Sequence, residues 1–293
     1  MRSSFVQIEY KTIFLRGVTF VKNEFKYLGT SSENFDELIA INNLSPEQSA
    51  SVLFNFMDKL DWLIEIIENK KISARYCDED VQYLELKDLK KVAIPMKCFC
   101  DINFHKLDSH LKCYGGYGIG LSKKWGIKSK IQPVQYIVKS SETANMYKSA
   151  FEEAIMKKGE SSLKNYLPMQ LMYMKPVVGK FKNRTDENET VKYFTDECEW
   201  RFVPDLTDLK LPQIIVDQSA IESKIYYKYN DAIKNNNIAS LSFEYKDIKY
   251  IVVDKEEDFD KLIECVKGLP VEERIKYQLI SKIIIWEESR RDF

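Results

Sequence analysis

The chain has 293 residues, a net charge of −1 and 44% hydrophobic residues, a composition that suits one large or two small globular domains. The balanced charge gives no indication of a nucleic-acid-binding protein, although a local basic face stays open. Glu9 and Lys11 interrupt the N-terminal apolar residues, and no stretch reaches the roughly 18 apolar residues of a membrane span. We therefore expect a cytoplasmic protein with no membrane partner, whose six irregularly spaced cysteines are free thiols.

The N-terminal part of the chain is rich in β-branched and aromatic residues. This composition predicts that residues 1–45 form an extension of strands and a short helix. Residues 52–57 predict another strand. From Leu60 onward, apolar residues recur at i, i+3, i+4 and i+7, which indicates an amphipathic helix that ends near Asn69. A return strand is expected to follow it.

The segment 92–125 concentrates unusual residues. It holds both histidines, three of the six cysteines and four of the ten glycines. It predicts a strand in which Pro95 marks an edge or a bulge, then one or two helical turns, then a Gly-rich strand. Its cysteine and histidine spacing matches no zinc-ligand pattern, so we predict no metal. The glycines do not form a dinucleotide fingerprint; they indicate either tight strand packing or close approach of a ligand.

The remaining chain mixes further helices and strands. Helices are predicted over 142–158, 219–234 and 257–269, and strands over 131–138, 198–206, 211–217 and 242–254. Residues 167–181 are apolar and contain prolines, so helix and strand both stay open there. We find no repeat and no strict alternation. This pattern favours an α+β fold of mixed, mainly antiparallel strands with flanking helices.

Three charged residues alternate in the segment DECEWRF. Glu197, Glu199 and Arg201 would face one side of a strand, while Trp200 and Phe202 would face the core. A glutamate beside an arginine stays ionised and can orient a hydroxyl or act as a base. A salt-bridged surface strand is the alternative.

Several motifs, in order, resemble the AbiGi family of abortive-infection phage-resistance proteins. They are AIPMKCFCDI (93–102), His110, YGGYGIGLSKKW (114–125), PVQY (133–136) and DECEWRFVP (196–204). The resemblance covers roughly residues 50–205. We therefore expect an AbiGi-like core over 46–210, preceded by the extension 1–45 and followed by an α/β extension, 211–293, packed on the core. One continuous domain is the alternative.

The AbiGi resemblance implies a role in bacterial defence on the antitoxin side of a toxin–antitoxin pair. It also implies a protein partner, either a toxin or another defence component. In this first hypothesis the chain is a binding protein that acts through a pocket lined by the Gly/Tyr-rich strand. No G-x-S-x-G, P-loop or H-E-x-x-H motif occurs, so hydrolases and NTPases lose their main support.

A more distant resemblance suggests an enzyme. Residues 52–72 are similar to the opening of ADP-ribosyltransferase-like folds, including DarT-type enzymes. That similarity implies NAD as the cofactor and a protein or a nucleic acid as the acceptor. Carried over by position, it implies Asn55, Tyr117 (or Tyr114) and Glu199 as catalytic residues. Asn55 departs from the pattern, because related openings carry histidine, but an amide also donates a hydrogen bond to a ribose hydroxyl.

If the chain is such an enzyme, five residues of the Gly/Tyr-rich segment and of the segment DECEWRF are the candidates for binding the cofactor. These are His110, Tyr114, Gly115, Gly118 and Arg201. If the chain is a binding protein instead, no cofactor is expected. The two hypotheses differ most on whether the side chains of Asn55 and Glu199 meet in one cleft.

Overall fold

The computed structural model describes residues 46–156, 161–182, 189–234 and 236–290. The predicted N-terminal extension 1–45 lies outside the described residues. The described chain is an α+β protein, as expected, and is built on one eight-stranded mixed sheet. None of its helices has the length and apolar character needed to cross a membrane, within the residues described.

The main sheet joins strands from distant parts of the chain. In spatial order it contains β14 (Ile283–Ile285), β13 (Ile248–Val253), β5 (Tyr117–Ser122), β1 (Val52–Met57), β4 (Lys91–Cys100), β11 (Glu199–Phe202) and β6 (Gln132–Pro133), and β3 (Arg75–Asp80) also pairs with β4. Three two-stranded sheets are β2 (Lys71–Ser73) with β12 (Ser240–Ser242), β7 (Gln135–Ile137) with β8 (Met174–Pro176), and β9 (Val178–Lys182) with β10 (Glu189–Tyr193). Only β13–β14 and β7–β8 are parallel among these pairs.

The helices lie on both sides of the sheet. They are α1 (Leu60–Asn69), α2 (Asp108–Tyr114), α3 (Lys123–Lys128), α4 (Glu142–Met156), α5 (Ser162–Leu171), α6 (Gln218–Glu222), α7 (Lys228–Ile233), α8 (Glu256–Gly268), α9 (Glu273–Ile280) and α10 (Trp286–Ser289). The predicted strand 52–57 and the helix from Leu60 to Asn69 are confirmed with these bounds. The undecided segment 167–181 contains both states, because α5 runs through Pro168 before β8 and β9 begin.

Several predicted elements are wrong in form. The expected strand 131–138 is divided into β6 and β7, and the expected strand 242–254 is interrupted by a 3-10 turn at Tyr245–Asp247. The expected strand 211–217 forms only an isolated bridge between Ile215 and Ala93. The expected helix 219–234 is interrupted, because Lys224 adopts a left-handed φ of 53° that ends α6. The break places Tyr226 in the core, where its hydroxyl donates to Asp78 Oδ1 at 2.9 Å. A buried hydrogen bond therefore takes precedence over helix continuity.

Strand register divides the sheet into two faces. Cross-strand partners share a face, so Phe54, Cys100 and Glu199 lie on one side, which we call the network face. Leu53 and its partner Leu121 lie on the other side, the helix face. The helix face packs on α1, α8 and α9. The network face carries two separate apolar clusters, one with α4 and α5 and one around Phe54.

Pro95 occupies a local gap in the pairing of β4. Ala93 exchanges two backbone hydrogen bonds of 2.9 Å with Ile215, and Lys97 pairs with Phe202. Amides alternate in direction along a strand, so Pro95 would have donated toward the interval between these two partners. Its missing N–H therefore costs no ladder bond there.

Strands β3 and β1 diverge along β4 and leave a fork. β3 pairs with β4 up to Met96, whereas β1 meets β4 only at Cys100. Carbonyl groups alternate along a strand, so the Cys98 carbonyl points into this fork. Asn55 Nδ2 donates to that carbonyl at 2.9 Å. A side-chain amide thus replaces a missing ladder donor.

Candidate functional site

A cavity of about 1070 Å³ lies on the network face, between its two apolar clusters. Its floor comes from β3 and β4, and its walls come from α2 and β9. Four of the six cysteines line it: Cys77, Cys98, Cys100 and Cys113. Burial raises the pKa of the Cys77, Cys98 and Cys100 thiols, so these three stay protonated at neutral pH.

Arg201 anchors a buried charge network behind the cavity. Its side chain is fully buried. Its Nε donates to Glu199 Oε1 at 2.6 Å and its Nη2 donates to Glu79 Oε2 at 3.0 Å. Its Nη1 donates to the Met172 carbonyl at 2.9 Å. The guanidinium is therefore neutralised and held in place by two strands and the end of α5.

Two lysines complete the charge network. Lys175 Nζ donates to Glu199 Oε2 at 2.7 Å and also to Glu197. Lys192 Nζ lies 2.7 Å from Glu197 Oε1, which also accepts a hydrogen bond from the Tyr114 hydroxyl. Three carboxylates thus face three cations, which is the condition under which buried charges are tolerated.

Both central carboxylates are ionised. Burial opposes ionisation of Glu199, but Arg201 and Lys175 hold the pKa of its carboxyl well below the usual range. Burial likewise opposes ionisation of Glu197, and Lys175 and Lys192 lower its pKa. Both oxygens of Glu199 already accept hydrogen bonds from these cations. Glu199 is therefore poised to hold positive charge in place rather than to remove a proton.

Aromatic rings form one wall of the cavity. The His110 ring lies 4.6 Å from Tyr114 and 5.7 Å from Phe56, between ring centroids. Burial lowers the pKa of His110 to about 4, so the imidazole is neutral at pH 7. Burial and the nearby Glu197 raise the pKa of Tyr114, which keeps its hydroxyl a donor.

Two of the three candidate catalytic residues line the cavity, and the third does not. Asn55 and Glu199 both line the cavity, but they approach it from opposite faces of the sheet. Glu199 shares the network face with Phe54, and Asn55 is the next residue in the strand. Asn55 reaches the cavity only through the fork. Tyr117 does not line the cavity; it lies on the helix face, where its hydroxyl donates to Asp258 Oδ2 at 2.8 Å.

The candidate cofactor residues also separate into two groups. His110 and Tyr114 line the cavity, whereas Arg201 lies behind Glu199 and does not. Gly115 ends α2 with φ of 110°, and a Cβ there would meet Met57 O at 2.2 Å. At Gly118 a Cβ would meet the Phe56 ring at 2.5 Å. Both glycines therefore accommodate packing and leave no surface for a ligand.

Sequence reasoning missed three members of the site. Lys175 fell in the undecided segment, Lys192 in a region without a motif, and Glu79 after the predicted return strand, where no element and no role were assigned. One pattern was available for Lys175, because it is a single charge within the apolar run LMYMKPVV. A lone lysine in such a run is either exposed at an edge or paired when buried. Within the described ranges, no three His, Cys, Asp or Glu side chains are grouped to hold a metal ion.

Comparison with known proteins identifies the family. The family model described as "Putative abortive phage resistance protein AbiGi, antitoxin" matches residues 70–254, more than half of the chain. A relative from Lactococcus lactis subsp. cremoris, "Abortive phage resistance protein AbiGi", is 34% identical and is matched over 75% of this chain and 98% of its own length. No solved structure matches the chain, and the ADP-ribosyltransferase-like resemblance stays a prediction. The chain belongs to the AbiGi family of abortive phage resistance proteins.

Proposed function

We propose that this chain acts on the antitoxin side of a toxin–antitoxin pair and exerts its role in abortive infection by binding a protein. The word antitoxin in the description of the matching family supports this proposal. The observation that carries it is the full pairing of the charge network. Glu79, Glu197 and Glu199 each face a cation of the protein itself, which suits a rigid binding scaffold better than acid–base catalysis.

The helix pair α4–α5 offers the surface that best suits a protein partner. Large apolar side chains are exposed along it: Met146, Ile155, Leu163, Tyr166 and Met169. A groove of about 310 Å³ runs between the two helices. Grouped exposed apolar side chains mark contact surfaces, and methionine adapts its shape to a partner. We assign this surface to the toxin of the pair.

The partner hypothesis is tested by co-expression with the product of the neighbouring gene. We expect the two proteins to co-purify. The double change Ile155→Glu and Leu163→Glu, at two exposed residues that line the groove, should weaken the complex at least about tenfold, because it places charge in an apolar contact. Tyr277→Glu, at an exposed apolar position on α9, is the matched control and should bind normally. Unaltered affinity in the double variant, or no complex with wild type, would contradict the proposal.

An NAD-dependent ADP-ribosyltransferase-like enzyme is the second candidate. The observation in its favour is that Asn55, Tyr114 and Glu199 line one cavity, which is large enough for a dinucleotide. NAD consumption should then be measurable in wild type and lost in Glu199→Gln. Since Glu199→Gln also removes a buried charge, Leu262→Ala serves as a destabilised control, with its change on the helix face. Equal turnover in both variants, or none in wild type, would contradict the enzyme.

A further inference from the structure

We propose that the network-face cavity binds a nucleotide: a planar heteroaromatic group with hydrogen-bond donors, joined to an anionic group. Binding at this cavity is a property separate from the protein contact at α4–α5, and it requires no turnover. Three features of the cavity carry the inference, namely unsatisfied polar atoms, an aromatic wall and a guanidinium without a carboxylate partner among the described residues.

Two buried polar atoms at the cavity have no partner in the protein. Asn55 is 6% exposed and Tyr83 is 7% exposed, and both line the cavity. Among the residues that the structure describes, neither Asn55 Oδ1 nor the Tyr83 hydroxyl has a hydrogen-bond partner. Leaving such groups unsatisfied costs about 1–3 kcal/mol each, so buried polar atoms of this kind are normally paired. A ligand with N–H or O–H groups would satisfy both.

The aromatic wall suits a flat ring. Phe56, His110, Tyr114 and Phe181 all line the cavity, and successive ring centroids along this row are 5.7, 4.6 and 6.0 Å apart. Neutral His110 adds no charge to this wall. Aromatic rings of this type stack on any of the nucleobases, because every base has a π face. The polar atoms of Asn55 and Tyr83 can then read the edge of the bound ring.

The charges of the lining favour an anionic group at the rim. Arg75 lines the cavity, is exposed, and has no carboxylate partner in the described part of the chain. By contrast, Glu79, Glu197 and Glu199 are neutralised by the network and Asp78 pairs with Lys91 at 2.9 Å. Asp80, which also lines the cavity, accepts hydrogen bonds from the backbone and side chain of Gln82. A guanidinium without a carboxylate partner forms strong bidentate hydrogen bonds with phosphate. We therefore place the phosphate at Arg75 and the base in the interior.

The test is calorimetric titration of the full chain with AMP, GMP, CMP and UMP. These molecules carry no nicotinamide, so their binding is independent of any transferase turnover. We expect saturable binding of at least one monophosphate in the millimolar range or tighter. Tyr83→Phe should weaken that binding about tenfold, since it removes one hydrogen bond. Arg75→Gln should weaken binding of the monophosphate but not of the corresponding nucleoside.

A stability measurement separates ligand contact from a structural role of the hydroxyl. The Tyr83 hydroxyl has no protein partner, so Tyr83→Phe should leave the melting temperature unchanged or raise it. Tyr147→Phe is the matched control, because that hydroxyl donates to the Leu167 carbonyl at 2.7 Å and does not line the cavity. It should lower the melting temperature and leave binding intact. Absence of binding by all four monophosphates, or equal affinity in wild type and Tyr83→Phe, would overturn the proposal, whatever the outcome with the protein partner.

Discussion

Arg201 shows how much of this protein's interior depends on single charges. It is fully buried and contacts Glu199, Glu79 and the Met172 carbonyl. A buried ion pair adds little stability compared with apolar packing, but breaking one leaves an uncompensated charge. The residues of the network therefore tolerate replacement poorly.

We predict that Glu199→Gln lowers the free energy of unfolding by about 3–5 kcal/mol, because it leaves Arg201 and Lys175 without their shared carboxylate. Urea denaturation at neutral pH measures the change. Glu264→Gln is the matched control; its partner Lys267 is exposed, so we expect a change within about 0.5 kcal/mol. A loss at position 199 as small as that of the control would show that the network is dispensable.

We predict that stability falls as the pH decreases from 6.5 toward 4, because His110 is buried in its neutral form. Its pKa is about 4 in the folded protein against an ordinary value of 6.5. Between these values the unfolded chain binds more protons, so acidification favours unfolding. Thermal melts of His110→Gln should show a smaller fall between pH 6.5 and 5 than wild type. His105→Gln, at an exposed position, should resemble wild type; equal slopes in all three proteins would contradict the assignment.

At the scale of elements, the β9–β10 hairpin contributes to the site without joining the main sheet. Its two strands pair only with each other in the described sheets. Lys192 fastens it to the rest of the site, because its Nζ lies 5.2 Å from the Tyr114 ring centroid and 2.7 Å from Glu197 Oε1. A cation on an aromatic face and a buried carboxylate together hold the hairpin over the cavity.

We predict that Lys192→Met loosens this hairpin without unfolding the sheet. The methionine keeps the apolar stem but loses the charge that Glu197 and Tyr114 bind. Hydrogen exchange should therefore quicken at the amides of β9 and β10, while β4 and β5 keep their protection. Lys180→Met, on the same hairpin, removes only an exposed ion pair with Glu189 and should exchange as wild type does. Equal hydrogen-exchange rates in the two variants would show that Lys192 does not hold the hairpin in place.

Local sequence patterns predicted the elements in which hydrophobic periodicity alone decides the secondary structure. The strand 52–57 and the helix from Leu60 to Asn69 follow from periodicity alone. The broken helix around Lys224 did not, because burial of Tyr226 takes precedence over local propensity. The site was predicted in part: Glu199, His110 and Tyr114 line the cavity. The strand face of Asn55 and the partner role of Lys175 depend on long-range register, which a single sequence does not reveal.

At the scale of the whole molecule, one sheet joins the two halves of the chain. β13 pairs with β5 through Ile248 to Val252, and β12 pairs with β2. Residues beyond 210 therefore supply β13, an interior strand of the main sheet, and Leu262, Val266 and Leu279 complete the core of the helix face. We therefore propose that the predicted core and the predicted C-terminal extension form one continuous domain.

We predict that a fragment ending at residue 210 does not fold. Without β13, the edge of β5 and the apolar side chains of the helix face would be exposed. Circular dichroism and urea denaturation of the fragment should show no cooperative transition, whereas the full chain should show one. Co-expression with the fragment 211–293 is the control and should restore soluble protein. A native-like transition in the shorter fragment alone would contradict this view.

The Asn55 amide in the fork connects the cavity with the backbone of the sheet. Its Nδ2 donates to the Cys98 carbonyl, and its buried Oδ1 has no hydrogen-bond donor among the described residues, although Asn55 itself lines the cavity. A molecule that donates to Oδ1 would polarise the amide and strengthen the bond made by Nδ2, because linked hydrogen bonds are cooperative. Occupancy would then stiffen the junction of β1, β3 and β4. The same amide would transmit the presence of a small molecule as a mechanical change in the sheet that underlies the whole fold.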